Sequence, residues 1–336
     1  MNSNLANKHV LVTGGAGYIG SHCVSALLKQ NCKVTVYDNL STGFRDAVDP
    51  RAHFIFGDVR DSALVSRVMK DQKIDAVIHF AAKLVVPESV QKPLEYYENN
   101  FGGTLALLQA CNEQKVKRIL FSSTAAVYGN QPHISSFKES DPLQPMNPYG
   151  ASKLMSEQVI KDFHQAYGLS AIVLRYFNVA GSSADGQNGQ RTKNASHLLK
   201  VASEVACGLR EKLQIFGNDF ETADGTGVRD YIHVEDLIEA HVKALGLSFE
   251  KDGFEIFNVG YGQGFSVLEI LKTMSEVSGI EIKYEISERR AGDPAKVISN
   301  SEKMQKHLGV QFRYNDIKKI CFDTYQWEKT KAAKSH

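Results

Sequence analysis

Several things are missing from this chain of 336 residues, and each absence narrows its function. There is no excess charge of either sign: 39 Lys and Arg face 38 Asp and Glu, without a long basic or acidic block. The electrostatic footprint of a nucleic-acid or membrane-surface binder is therefore lacking, so small-molecule partners are expected, with no nucleic acid and no membrane. The five cysteines, Cys23, Cys32, Cys111, Cys207 and Cys321, form no C-x-x-C pair. Neither a zinc site nor a disulfide framework is indicated, and no metal is expected. Residues 1–8 are short and polar and lead straight into an apolar run, with no signal segment and no stretch long enough to span a bilayer. Export is not expected and a cytoplasmic location is; the sequon Asn194-Ala195-Ser196 then reads as incidental. No internal repeat is found.

What is present is an ordinary apolar content of 43%, enough for a large core in one large or two modest domains. From residue 9 to about 178, short apolar runs alternate with longer amphipathic ones, the pattern of a parallel sheet covered by helices on both faces. The expected strands are 9–14, 33–38, 53–58, 75–81, 118–123 and 170–178. Beyond Asn178 the texture changes to a loop rich in Gly, Ser, Asn and Gln over 181–196. A helix (about 197–209), a strand (213–217), a polar loop (218–227) and an apolar run (228–234) follow. Then come a helix to about 249, a strand at 255–260, a helix from 266 and a strand at 280–286. The fold class is therefore α/β: a doubly wound, Rossmann-type, mostly parallel sheet with a smaller C-terminal α/β substrate domain. Residues 1–180 are assigned to the cofactor domain, with 232–262 returning to it, and 181–231 and 263–336 to the substrate domain.

The first strand runs directly into Gly14-Gly15-Ala16-Gly17-Tyr18-Ile19-Gly20 and then into an apolar-periodic helix. Gly14 suits a tight turn, Gly17 lets a pyrophosphate approach the backbone, and Gly20 lets the helix pack closely on the sheet. The next strand ends at Asp38, eighteen residues after Gly20, where an adenosine ribose needs a hydroxyl acceptor. A 2'-phosphate would be repelled there, so NAD is expected as cofactor rather than NADP. The other strand ends are polar or small: Asp58-Val59, Phe80-Ala81-Ala82, Ser122-Ser123-Thr124 and Asn178. Ligands of doubly wound sheets bind outside these carboxyl ends, so one site can collect them all.

Tyr149 and Lys153 stand four residues apart in Asn147-Pro148-Tyr149-Gly150-Ala151-Ser152-Lys153 and would share a helix face. A free tyrosine titrates near pH 10, so holding it as phenolate at neutrality costs about 4 kcal/mol, which a fixed cation nearby offsets. With a dinucleotide in the same cleft the trio suits alcohol oxidation. Thr124 orients the hydroxyl, Tyr149 takes its proton, and Lys153 holds the nicotinamide ribose and lowers the tyrosine pKa. His79 and His233 read as core or hydrogen-bonded histidines.

These segments give the chain a resemblance to the extended short-chain dehydrogenase/reductases, and within them to the UDP-glucose 4-epimerase family. The carriers are Leu11 to His22, Tyr37-Asp38-Asn39-Leu40, Val90 to Tyr97, Tyr149 to Lys153, Leu174 to Asn178 and, most specific, Ile215 to Val234. The resemblance implies that hydride leaves C4 of a UDP-hexose for bound NAD, that a 4-keto sugar rotates, and that the hydride returns to its other face. It further implies cofactor contacts from Tyr18, Ile19, Asn39, Asp58, Val59, Phe80, Ala81, Ala82, Asn99, Ser122 and Phe177. The UDP-sugar falls to Thr124, Tyr149, Asn178, His197, Leu198, Phe216, Arg229, Arg290 and Asp293, with Val297 at the position that gates the sugar pocket. A homodimer is implied too.

Three departures stand out. Lys83 is one position early for the family's lysine at the cofactor phosphates, His197 replaces a second asparagine, and Val297 is smaller than the tyrosine some members carry, which would admit N-acetylated UDP-hexosamines. Ala125 and Ala126 occupy the places of the acid pair that a 4,6-dehydratase needs, so elimination is not expected. A nucleotide-sugar decarboxylase or a different epimerase remains as an alternative, as does a non-catalytic NAD-binding sensor.

Overall fold

The structure, a computed structural model, describes residues 4–192, 195–290 and 293–334; Asn194 of the sequon and Gly292 beside Asp293 lie outside them. The strands among these residues, in chain order, begin with β1 His9–Thr13, β2 Lys33–Asp38, β3 His53–Phe56, β4 Ala76–His79, β5 Arg118–Thr124, β6 Ser170–Tyr176 and β7 Asn178–Ala180. They continue with β8 Leu213–Phe216, β9 Val228–His233, β10 Phe254–Val259, β11 Gly264–Ser266, β12 Tyr284–Ser287 and β13 Lys296–Val297. Seven of them form one sheet in the order β10-β6-β5-β4-β1-β2-β3. All its pairings are parallel.

Parallel strands covered on both faces must be apolar on both faces, and β1 shows how. Val10 and Val12 point into one core, with Cys23, Val24 and Leu27 of helix Tyr18–Lys29 and with Leu237, Ile238 and Ala244 of helix Val234–Glu250. Leu11 points the other way, into a core shared with Val65, Met69, Leu107, Leu108 and Ile160. The order of strands reverses between β1 and β4, so a crevice opens above their carboxyl ends.

The chain changes sheets at Phe177. Its N–H donates to Val259 of the large sheet, whereas Asn178, the next residue, pairs with Tyr231 of β9. The expected strand 170–178 is thus two strands. The second sheet, β11-β9-β13 with β7 also on β9, shares a third core with the helices Leu198–Ala206 and Val267–Ser278. Strands β8 and β12 form a separate parallel pair.

Two boundaries differ from the sequence reading, one for a local reason and one through packing. The strand expected at 280–286 begins only at Tyr284, because the N–H groups of Ile280 and Ile282 are taken by the hydroxyls of Ser278 and Ser275 at the end of the preceding helix. The segment holding Met304, Leu308 and Val310, assigned above to the substrate domain, packs instead into the core that holds β1 and β10.

Candidate functional site

The glycine turn sits at the crevice. Gly14 has φ +72°, and a Cβ there would lie 2.6 Å from the backbone nitrogen of Ala81. A Cβ on Gly20 would lie 2.2 Å from the carbonyl oxygen of Gly14, so this glycine is required by the turn itself rather than by packing of the helix on the sheet. Gly17 is the N-cap of helix Tyr18–Lys29 and brings no side-chain cap. The first N–H groups of a helix have no carbonyl within it, so an uncapped start of this kind fits the diphosphate of a dinucleotide.

Asp38 ends β2 with one carboxylate oxygen accepting from Ala16 N–H at 2.9 Å and the other from Leu40 N–H at 2.8 Å. Burial raises its pKa and these two N–H groups oppose the rise. The turn and the acid therefore hold each other in place, with lone pairs left for ribose hydroxyls. Asn39 donates to Asp58 at 3.1 Å, and Arg60 on the same carboxylate holds Asp58 well below the usual range. Val59 packs beneath Gly103, where a Cβ would lie 2.7 Å from its methyl. The residues present thus fit NAD.

Tyr149 and Lys153 lie in the first turns of helix Pro148–Tyr167, and the sequence starts that helix here for local reasons. Asn147 caps Gly150 N–H at 2.9 Å, and Pro148 takes the first helical position, where its missing N–H costs nothing. Tyr149 faces the hydroxyl of Thr124 at the end of β5. The Lys153 ammonium donates to the Ser122 carbonyl at 2.8 Å and lies over the Phe121 ring at 4.8 Å. The Ser122 hydroxyl is bonded to that of Tyr176.

The electrostatics correct one expectation. Burial raises the Tyr149 phenol, opposed by Thr124, while burial pushes the Lys153 ammonium down to about 7, opposed by the charge of Glu157. With the cofactor absent, burial thus acts on both groups against their charged forms.

The remaining site residues converge from the second sheet. Arg229 on β9 donates to the Val228 carbonyl at 2.8 Å and is half-buried, with the charge of Asp293 acting on it. Arg290 lies flat over the Phe216 ring at 3.6 Å, whereas its neighbour Arg289 is paired with Asp219 at 3.0 Å. The charge of Asp293 acts favourably on both Arg229 and Arg290 without closing an ion pair, so both guanidiniums keep donors for a further anion. Asn178 is exposed on β7, and His197, N-cap of helix Leu198–Ala206, bonds Gln190 at 2.9 Å. Asp293 turns back through its N–H to the Arg290 carbonyl at 3.3 Å. Val297 on β13 pairs with Arg229 and shares a buried apolar cluster with Ala125 and Phe177. Lys83 is paired with Glu95.

Three features escaped the sequence reading. A π-helical turn over Tyr97–Gly102 places Asn100 beside Asn99, where its amide bonds both backbone groups of residue 83 and the Ser152 hydroxyl next to Lys153. Glu157, one turn beyond Lys153, pairs with buried Arg175 at 2.6 Å and accepts from Ser123. A charged residue inside the apolar run Ser170-Ala171-Ile172-Val173-Leu174-Arg175 was the legible signal for this pair. Arg191 forks onto Asp46 at 2.9 and 3.1 Å and lies over Phe44, bridging the loop after β2 to the loop after β7 across the glycine turn. Two loops so distant in sequence give no signal of their meeting.

A parallel sheet of this order, with a dinucleotide-type turn, a ribose acid and a Tyr/Lys pair on one helix face, defines a cofactor-dependent enzyme acting on an alcohol. Comparison with known proteins narrows this. The chain belongs to the NAD dependent epimerase/dehydratase family, whose model matches residues 10–260. It is 48% identical over 318 residues to the UDP-glucose 4-epimerase of Lacticaseibacillus casei, covering 95% of this chain and 96% of that one. The crystal structure of UDP-glucose 4-epimerase from Bifidobacterium longum in complex with NAD+ and UDP superposes with a TM-score of 0.92 at 39% identity, over 96% of this chain and 98% of that one. The UDP-Glc/GlcNAc 4-epimerase of Campylobacter jejuni does so with a TM-score of 0.84 at 44% identity, over 96% and 100%.

Proposed function

We propose that this protein interconverts UDP-glucose and UDP-galactose by reversible NAD-dependent oxidation at C4 of the hexose. One arrangement supports the reading above all: a phenol, a hydroxyl and an ammonium meet at the ends of β5 and helix Pro148–Tyr167, and the guanidinium of Arg229 lies across the cleft on β9.

NAD, when bound, accepts the C4 hydride and returns it, so that nothing is consumed. Thr124 orients the C4 hydroxyl; Tyr149 removes its proton and restores it on return, which requires a group that works in both directions. Lys153 would hold the nicotinamide ribose and, together with the positive charge that NAD+ would bring beside the phenol, favour the phenolate that this proton transfer requires. Asn178, His197, Leu198, Phe216, Arg229, Arg290 and Asp293 hold the UDP, the arginines by forked bonds to diphosphate oxygens. The firm hold on UDP frees the sugar to turn. Ala125 and Ala126, directly after Thr124, offer no acid or base for elimination.

The division into a cofactor part and a UDP-sugar part is supported by the separate apolar cores of the two sheets. Val297, small and buried, supports entry of UDP-GlcNAc and UDP-GalNAc as further substrates. Val90, Leu94, Leu105 and Met155, exposed apolar side chains on neighbouring helices, support a homodimer. Five free cysteines, four of them buried, accord with a reducing cytoplasm. Among the described residues no helix is long and apolar enough to cross a membrane.

Purified protein incubated with UDP-galactose is expected to form UDP-glucose without added reductant, and absence of product would refute the assignment. Inert UDP-GlcNAc and UDP-GalNAc beside active UDP-galactose would remove the wider substrate range. Sedimentation of a monomer would remove the dimer.

A further inference from the structure

Behind the proton-transferring groups lies a buried polar chain that no step of the proposed reaction uses. Arg175, paired with Glu157, donates to the Tyr128 hydroxyl at 3.1 Å; that hydroxyl donates to the Asn258 amide oxygen at 2.7 Å. The Asn258 amide nitrogen in turn donates to the Phe137 carbonyl at 2.8 Å. Phe137 is 1% exposed, and its ring stacks on Tyr128 with centroids 4.7 Å apart and planes at 16°. Its backbone is bonded on both sides of the segment that follows β13: its N–H donates to the Ile298 carbonyl at 2.8 Å and its carbonyl accepts from Asn300 N–H at 2.7 Å.

The segment so held directly follows Val297. Val297 pairs with Arg229, the proposed diphosphate residue, and its side chain shares a buried apolar cluster with Ala125 and Phe177, next in sequence to Thr124 and Asn178. Val297 thus lies between the diphosphate end and the proton-transfer end of the cleft, where the hexose of a UDP-sugar must sit. Its side chain also shares a cluster with Tyr128 and Phe137 themselves. Asp230 holds Ser299 of this segment from the β9 side at 3.1 Å, and Phe137 holds the residues on either side of Ser299 from the other.

We infer that Phe137, fixed by Tyr128 and Asn258, is a positioning residue that sets the depth of the hexose pocket by holding the 297–300 segment in register. This rests on the UDP-hexose reading above. Both side chains of the support are satisfied polar groups in a dry setting, so removing the one hydroxyl of Tyr128 leaves the Asn258 oxygen without its donor and frees the amide to turn away from Phe137. The sugar wall then loosens while the uridine and diphosphate contacts on β8, β9 and Arg290 are untouched.

The test uses Tyr128→Phe and, because a buried site is altered, also Phe137→Leu, each checked for NAD content and thermal midpoint. KM for UDP-galactose and the inhibition constant of UDP, which lacks the sugar, are measured together. The expected result in at least one folded variant is a rise in KM of roughly 3- to 10-fold, the loss of about one hydrogen bond, with the UDP constant changed less than about twofold. A parallel rise in both constants, or no change in KM in either variant, overturns the inference. A parent protein that does not convert UDP-galactose overturns the functional reading itself, and the two failures are thereby distinguished.

Discussion

Glu157 lies one helical turn beyond Lys153 and binds the guanidinium of Arg175 at 2.6 Å, with both side chains almost wholly removed from water. A buried pair of this kind is a weak source of net stability but a large liability when broken. Glu157→Leu is therefore expected to lower unfolding free energy by about 3–5 kcal/mol, and adding Arg175→Met to restore most of it. Chemical denaturation of the two variants measures this, and a single variant as stable as the parent would contradict it. In the folded double variant Lys153 also lacks the anion that opposes its downward shift. Its charged form is then lost at lower pH, so the alkaline limb of kcat/KM moves toward acid.

Tyr149→Phe leaves the ring in place and removes the phenol oxygen that faces Thr124. Turnover of UDP-galactose is expected to fall at least 10²- to 10⁴-fold, the usual contribution of positioned proton transfer, with bound NAD unchanged. Activity near the parent level would show that another group is the base.

Arg229→Met keeps the apolar stem and removes the guanidinium. Loss of charge-assisted bonds worth about 1.5–3 kcal/mol predicts that UDP binding weakens roughly 10- to 100-fold. NAD content should not change, since Arg229 lies on β9 in the second sheet. Calorimetric titration with UDP gives the answer.

Arg191 and Asp46 clasp two loops across the cofactor turn. Asp46 is largely exposed, so the pair is worth no more than about 1 kcal/mol, and Asp46→Asn is expected to speed NAD release about 2- to 5-fold at unchanged kcat. Exchange of labelled NAD from the holoenzyme measures it; a rate equal to the parent's would show that the clasp does not retain the cofactor.

Three buried histidines make stability depend on pH. Burial lowers His79 to about 3 and His22 and His241 to about 4. The Nε2 atoms of His22 and His241 have no partner to receive a proton's charge. Their folded pKa values lie below the unfolded value near 6.5, so the unfolded chain binds more protons as pH falls. Stability is full above about pH 6.5 and is lost below it, by at most about 1.4 kcal/mol per histidine per pH unit. A thermal midpoint that stays level from pH 7 to pH 5 would be incompatible with this.

Much of the cofactor half was legible in the chain because its signals are local. A strand, glycines at a turn and an acid at the next strand's end are short-range requirements of backbone conformation and charge, and Asn147-Pro148 announces the start of the helix that bears Tyr149 and Lys153. Sequence reading lost strand 170–178 at Phe177, where two sheets compete for one segment, and 280–286, where serine hydroxyls took the ladder's donors.

The sequence by itself determined the class of chemistry: which side chains can bind a diphosphate, accept a ribose hydroxyl and move a proton. The tertiary structure alone decided their electrostatic state and their company. Whether Lys153 is charged, whether Arg229 is paired, and what stands behind Val297 depend on burial and on residues more than a hundred positions away. Desolvation and long-range hydrogen bonds exist only once the sheets have closed over one another.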